Sequence, residues 1–179
     1  MHLRTHFDID QDGETLVWAF TRIDHEGHPV KGPDTGAIYF TRGEELRIQV
    51  SGGSETVPFE GFEILDCTVI TRPKVYECGP GAKTVYAAPS PFVQPDGKDP
   101  LTAVIDIPVA QFVPGPEPVG EGKRFVKHWS GSLLAGQMRA RWELSFVLTV
   151  AIQRDKNTTE TRVFCFDPET VVGSGINPP

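Results

Sequence analysis

Arg141-Trp142-Glu143-Leu144-Ser145-Phe146-Val147-Leu148-Thr149-Val150-Ala151-Ile152 carries an apolar side chain at every even position. Successive side chains of a strand leave on opposite sides, so Trp142, Leu144, Phe146, Leu148, Val150 and Ile152 share one face. Wound as a helix, the same six would scatter around the circumference, so the period of two selects β structure. Asp155-Lys156-Asn157-Thr158 then turns the chain and 162–166 returns it. Asp167-Pro168 ends that strand, because proline lacks a ladder donor.

The same alternation recurs toward the N-terminus. Leu3, Phe7 and Ile9 lie on one side of the first segment, with His2, Arg4, His6 and Asp8 on the other; Leu16, Trp18 and Phe20 lie on one side of the second. Between them Asp12-Gly13 predicts a two-residue type I′ hairpin, in which Ile9 faces Leu16, Phe7 faces Trp18 and Thr5 faces Phe20. Further strands are expected at 37–40, 45–50, 61–71, 101–107 and 124–129. In 61–71, Phe62 and Ile64 fall on one face and Leu65, Cys67 and Val69 on the other. Glycine and proline supply 18 and 16 residues of 179, which favours short segments and frequent turns; no segment shows a capped helix of three turns. The expected fold is an all-β, two-sheet antiparallel β-sandwich of about eight to ten strands in a single domain over 1–179, with little or no helix.

Residues 87–123 hold eight of the sixteen prolines. They read as proline-rich covering loops around one short strand, a device that blunts sheet edges. Pro114-Gly115-Pro116-Glu117-Pro118 offers the alternative of a polyproline II recognition segment.

The chain has a formal charge of −7, which disfavours nucleic acid or an anionic membrane as partner. Its 39% apolar and 23% charged residues fit a globular chain. Met1 to His6 has no apolar leader region, and the longest strongly apolar run, 144–152, is far short of the roughly twenty residues a membrane-spanning helix needs. Three cysteines, Cys67, Cys78 and Cys165, cannot all pair with one another. A cytoplasmic location is expected, where thiols stay reduced.

Motifs with chemistry are weak. Asp8-Ile9-Asp10-Gln11-Asp12-Gly13 opens like a calcium loop, but Ala19 stands at the twelfth position, where a bidentate glutamate is required; Asp8, Asp10 and Asp12 read as a turn. His25 and His28, in Asp24-His25-Glu26-Gly27-His28, lack further ligands in sequence and read as a polar turn. Cys78-Gly79-Pro80-Gly81-Ala82-Lys83-Thr84 misses the phosphate-loop spacing. His128-Trp129-Ser130-Gly131-Ser132 carries no nucleophile elbow. Cys67 and Cys165, inside apolar strands, read as buried thiols. No catalytic residue, metal or cofactor is expected.

Three further segments carry a family likeness: Gly43-Glu44-Glu45-Leu46-Arg47-Ile48, the stretch around Ala88-Pro89-Ser90-Pro91, and the closing pair in which 142–146 leads to Phe164-Cys165-Phe166-Asp167-Pro168. In their order they resemble the PixA/AidA-like bacterial inclusion-body proteins, with Phe166 standing where that pattern carries Trp. The resemblance implies an abundant, assembling cytoplasmic protein and supplies no catalytic residue. It agrees with the last hairpin, whose odd face carries Val147, Thr149, Ala151 and Val163 and no charge from Ser145 to Ile152. Interface cores are depleted of charge. The expectation is a non-enzymatic structural module that forms homo-oligomers through this face, or covers it with the proline-rich segment. The alternative is a small-ligand binding protein with an apolar pocket lined by Trp18, Trp129 or Trp142.

Overall fold

The computed structural model describes residues 1–22, 38–54, 56–57, 59–74, 87–115, 123–136, 140–166 and 169–172. These residues form thirteen strands and one short 3-10 turn, with no α-helix among them. The strands are β1 (His2–Asp8), β2 (Val17–Thr21), β3 (Ile38–Phe40), β4 (Glu45–Ser54), β5 (Gly61–Pro73), β6 (Phe92–Val93), β7 (Val104–Asp106), β8 (Phe112–Pro114), β9 (Lys123–Trp129), β10 (Leu133–Ala135), β11 (Ala140–Gln153), β12 (Thr159–Phe166) and β13 (Glu169–Val172).

They build two sheets. The first, of seven strands, runs β2-β1-β4-β10-β6, with β9 also on β4 and β8 on β9; the second, of six, runs β3-β13-β11-β5-β7, with β12 on β11. The even face of β11 is buried throughout, as its period requires. Aromatic rings join the sheets: Phe7 of β1 stacks on Phe164 of β12 at 4.8 Å and meets Phe62 of β5 edge-on at 5.1 Å. Trp18 stacks on Phe166 at 5.1 Å, and Phe40 of β3 meets Phe92 of β6 at 5.4 Å. Offset-stacked and edge-to-face pairs add about 0.5–1.5 kcal/mol each beyond their burial.

Five details depart from the sequence-based expectations. The sheets are not wholly antiparallel: β1 pairs β4 in parallel, and β13 pairs β3 in parallel. Parallel neighbours cannot be joined by a hairpin. Between β1 and β4 the chain instead passes through β2 and then through β3 in the other sheet. Four strands, β6, β8, β10 and β13, lie outside the segments read from alternation. Each is four residues or fewer, too short for alternation to register, and β6 and β8 lie in the proline-rich stretch.

The first hairpin is paired two residues away from the expected register, with Thr5 opposite Trp18 and Leu3 opposite Phe20. No non-glycine residue described has positive φ, so Asp12-Gly13 is not a type I′ turn. The segment between the strands is instead held by tertiary bonds: Leu16 N donates to Cys165 O (3.0 Å), Cys165 N to Glu14 O (2.9 Å), and Arg154 Nη2 to Ile9 O (2.9 Å). A shift of two preserves side-chain parity, so the inward set survives the error.

In β5, the register shifts at Thr149/Val150 of β11: Ile64 pairs with Val150 and Asp66 with Thr149, leaving Leu65 as the extra residue. This bulge reverses parity, so Phe62, Ile64, Cys67 and Val69 all face one core, while Leu65 is 49% exposed. Cys165 is also a correction: it sits at an odd, outward position of β12 and is exposed, whereas Cys67 is buried. Burial pushes the Cys67 thiol pKa up, with Asp66 adding to the shift.

Candidate functional site

Two surfaces gather the chemistry of the chain, one on the outer face of each sheet. On the second sheet, pairing aligns side chains into rows across the strands. Val104, Ile70 and Ser145 form one row; Asp106, Thr68, Val147 and Cys165 the next. Asp66, Thr149 and Val163 follow, then Glu63, Ala151 and Thr161. Val147, Thr149 and Ala151 are half-buried. Val163 (46%), Ile70 (36%) and Val104 (53%) are open to solvent, as is the bulged Leu65. The structure therefore brings together the four residues picked out by pattern and adds three more from β5 and β7. Those three were missed because which strands flank β11 is not written in β11.

Of the proline-rich segment, Ala88 and Pro89 lie toward the inward side of this sheet, and 104–106 form its strand β7. Ala88 O accepts from Trp142 Nε1 (2.9 Å) and Pro89 O from Thr71 Oγ1 (2.9 Å), both on buried, inward side chains. Ala88 and Pro89 therefore do not lie over the outer face; Pro116 and Pro118 lie outside the described residues.

Of two cavities among the described residues, neither is lined by more than one tryptophan. Trp142 lines a cavity of about 420 Å³ with Ala88, Pro91, Val93 and Pro100. Trp18 lines another, and Trp129 neither of the two. Strand parity sends Trp129 and Trp142 into the core, where each indole N–H finds an oxygen: Gln111 Oε1 at 2.9 Å for Trp129 and Ala88 O for Trp142.

The cavity at Trp18, about 500 Å³, opens on the outer face of the first sheet. Register builds two rows there, Ala19–Arg4–Gln49–His128–Val113 and Val17–His6–Ser51–Val126. Arg124 stands one step beyond, opposite Gly53. Ser51 is buried and saturated: its Oγ donates to Thr5 O (3.0 Å), accepts from Arg124 Nη2 (3.0 Å) and lies 3.1 Å from His6 Nδ1. Ser51 and His6 have the spacing of a nucleophile and base, but the hydroxyl proton is engaged by Thr5 and Ser51 is buried, an arrangement unsuited to attack. A Cβ on Gly115 would lie 2.5 Å from His128 Nε2, so the glycine lets the end of β8 close against that ring. The cationic residues of this face were legible as an outward polar set in β1. Their meeting with Arg124 and His128 depends on β9 pairing with β4.

The imidazoles here are held neutral. Burial, then the N-terminal ammonium, Arg4, Arg47 and His128, push His2 down to about 4. Burial and then Arg124 lower His6, with Asp8 opposing; burial and then Arg4 lower His128. Between the ordinary histidine value near 6.5 and these lower values the unfolded chain binds more protons than the native one. Stability is therefore expected to rise with pH in that window and to decline as pH falls from about 6.5 toward about 4. Urea midpoints measured across it check this; a flat profile overturns it.

Among the candidate ligands of the calcium-like segment, Asp10 has both carboxylate oxygens engaged. Oδ2 accepts from Ser54 and Thr56 (3.1 Å each) and Oδ1 from Arg154 Nη1 (3.1 Å). Desolvation is the largest single effect and raises it, but the bonds from Arg154, Thr56 and Ser54 together hold the Asp10 carboxyl below its ordinary value. Asp8 Oδ1 accepts from Asp10 N (2.8 Å), and Asp12 is exposed. His25, His28 and Cys78 lie outside the described residues. No group of three or more metal-ligating side chains occurs among the described residues.

No protein-family model matches the chain, and no curated protein matches it.

Proposed function

We propose that the protein is a non-enzymatic structural module that associates with copies of itself through the outer face of β12, β11, β5 and β7. The observation that carries this reading is the contiguous set Val104, Ile70, Leu65, Val147, Thr149, Ala151 and Val163, open or half-open to solvent on one sheet face. Scattered exposed apolar residues need no explanation, but a contiguous patch rimmed by charge marks an association surface. Here the rim is Glu63, Asp66 and Asp106 at one side and the Arg72–Glu143–Lys74 ion pairs, at 3.1 and 3.3 Å, near the end of β5. Four strands spaced about 4.8 Å apart, with β11 rising about 3.3 Å per residue, outline a face on the order of 600 Å², approaching the ~800 Å² per partner of a standard interface. The resemblance to the PixA/AidA-like inclusion-body proteins supports the same reading.

Wild-type protein is expected to sediment as an oligomer at tens of micromolar. Val163→Lys is expected to sediment as a monomer with a stability change within about 0.5 kcal/mol, as for exposed positions. Sedimentation velocity on both proteins decides it: a wild type that stays monomeric throughout removes the proposal.

A further inference from the structure

The opposite surface of the molecule supports a separate function, independent of self-association because it uses the other sheet. We propose that the groove on the outer face of β2, β1, β4 and β9 binds a small organic oxyanion. The charged end sits between the Arg4 and Arg124 guanidiniums, and the apolar body lies against Val17 and Val126.

Several observations converge on that ligand. Among the described residues, no carboxylate lies within ion-pair distance of Arg4 or Arg124, nor of Arg42, Arg141 or Arg162, whereas Arg22, Arg47 and Arg72 have one and Arg154 has two. On a protein of net charge −7 these two cations share the face with one carboxylate, Asp8, in the row of Arg124 across Gly53, which forms no ion pair with either. Arg124 is already oriented by its bond to buried Ser51, so less side-chain freedom is lost on binding. The cavity, about 500 Å³, falls in the size range of small-ligand sites. Val17, 68% exposed, and half-buried Val126 flank the His6–Ser51 row and give the groove its apolar wall.

His6 adds a proton to the binding event. Ser51 Oγ has one hydrogen, which goes to Thr5 O, and it accepts from Arg124; its remaining lone pair accepts from His6 Nδ1. Neutral His6 therefore carries its proton on Nδ1 and leaves Nε2 bare. An oxyanion beside this ring is repelled by a bare Nε2 and attracted by a protonated one, so binding takes up a proton from solvent there. The charged and titratable groups facing His6 are Arg4, Asp8 and His2 on β1, Arg47 on β4, and Arg124 and His128 on β9; β2 presents Val17 and Ala19. Burial first, and then Arg124, disfavours the protonated ring in the free protein, and an anion that offsets the cations lessens that bias.

The test uses the full chain and three probes: benzoate, phenyl phosphate and inorganic phosphate. Each is titrated at about pH 5.5 and about pH 7.5, on either side of the ordinary histidine value, following the imidazole C–H resonances of His6 and His128. At least one organic anion is expected to shift both rings and to bind more tightly than inorganic phosphate; which one wins separates a carboxylate from a phosphate ester. Affinity for benzoate, which stays ionised at both values while the phosphates change charge at about pH 6, is expected to be higher at the lower pH. Arg4→Gln and Arg124→Gln are each expected to weaken binding about tenfold or more, the effect of losing a hydrogen bond to a charged group. His6→Gln is expected to retain binding and lose its pH dependence. Arg4 is exposed, so its variant keeps the test valid even where Arg124→Gln disturbs the Ser51 network; circular dichroism confirms folding. The proposal is overturned if neither organic anion moves the imidazole resonances at tens of millimolar, or if Arg4→Gln binds as the wild type does.

Discussion

Trp142→Ala is expected to destabilise the protein by about 3–5 kcal/mol, the range for truncating a large aromatic in a packed core. The indole is fully buried and its N–H donates to Ala88 O at 2.9 Å. Truncation removes the packing, orphans that carbonyl, and opens a void continuous with the cavity of about 420 Å³ that the indole already lines. A site that cannot collapse pays the cavity cost in full, so the upper half of the range is expected. Urea unfolding measures it through the midpoint at constant slope. A loss under about 1 kcal/mol would place Trp142 among surface residues and refute the inward assignment of the β11 even face.

Gly52→Ala is expected to be the second largest effect, about 1–3 kcal/mol from the insertion of one methyl group. A Cβ at residue 52 would stand 2.4 Å from Phe7 Cζ and 2.6 Å from Cε2. A ring at the end of a side chain can ordinarily retreat, but Phe7 is fully buried, stacked on Phe164 and abutted by Phe62. The methyl group must therefore displace the rings that join the two sheets or push β4 outward. Phe7→Leu relieves the contact while costing packing of its own, so the two substitutions should not add. A double-mutant cycle is expected to give a favourable coupling of 0.5 kcal/mol or more in the double variant, in the range for residues in direct contact. Strict additivity would show that the clash is not the cause.

What was legible in the chain followed from parity, and what was not followed from pairing partners. The even face of β11, the inward set Leu3, Phe7, Leu16 and Phe20, and the outward Val147, Thr149, Ala151 and Val163 all stand where alternation places them. Parity is local: it depends on the pleat of one strand and survives a register shift of two, as the first hairpin demonstrates. It fails where an extra residue enters, so the bulge at Leu65 turned Phe62 and Ile64 onto the same face as Cys67 and Val69. It is silent below about four residues, and β6, β8 and β10 went unread for that reason.

The sequence by itself therefore determined that the protein is all-β and which residues of β1 and β11 face the core. Only the tertiary structure decided which strands lie side by side. Asp12-Gly13 yields to backbone bonds offered by the edge of β12, because several tertiary hydrogen bonds outweigh one local turn preference. The parallel seam between β1 and β4, with β9 on the far side of β4, brings Arg4, His6, Ser51, Arg124 and His128 into one groove from positions more than a hundred residues apart. No local pattern encodes that meeting, since strand order is settled by how the two sheets bury their inward faces against each other.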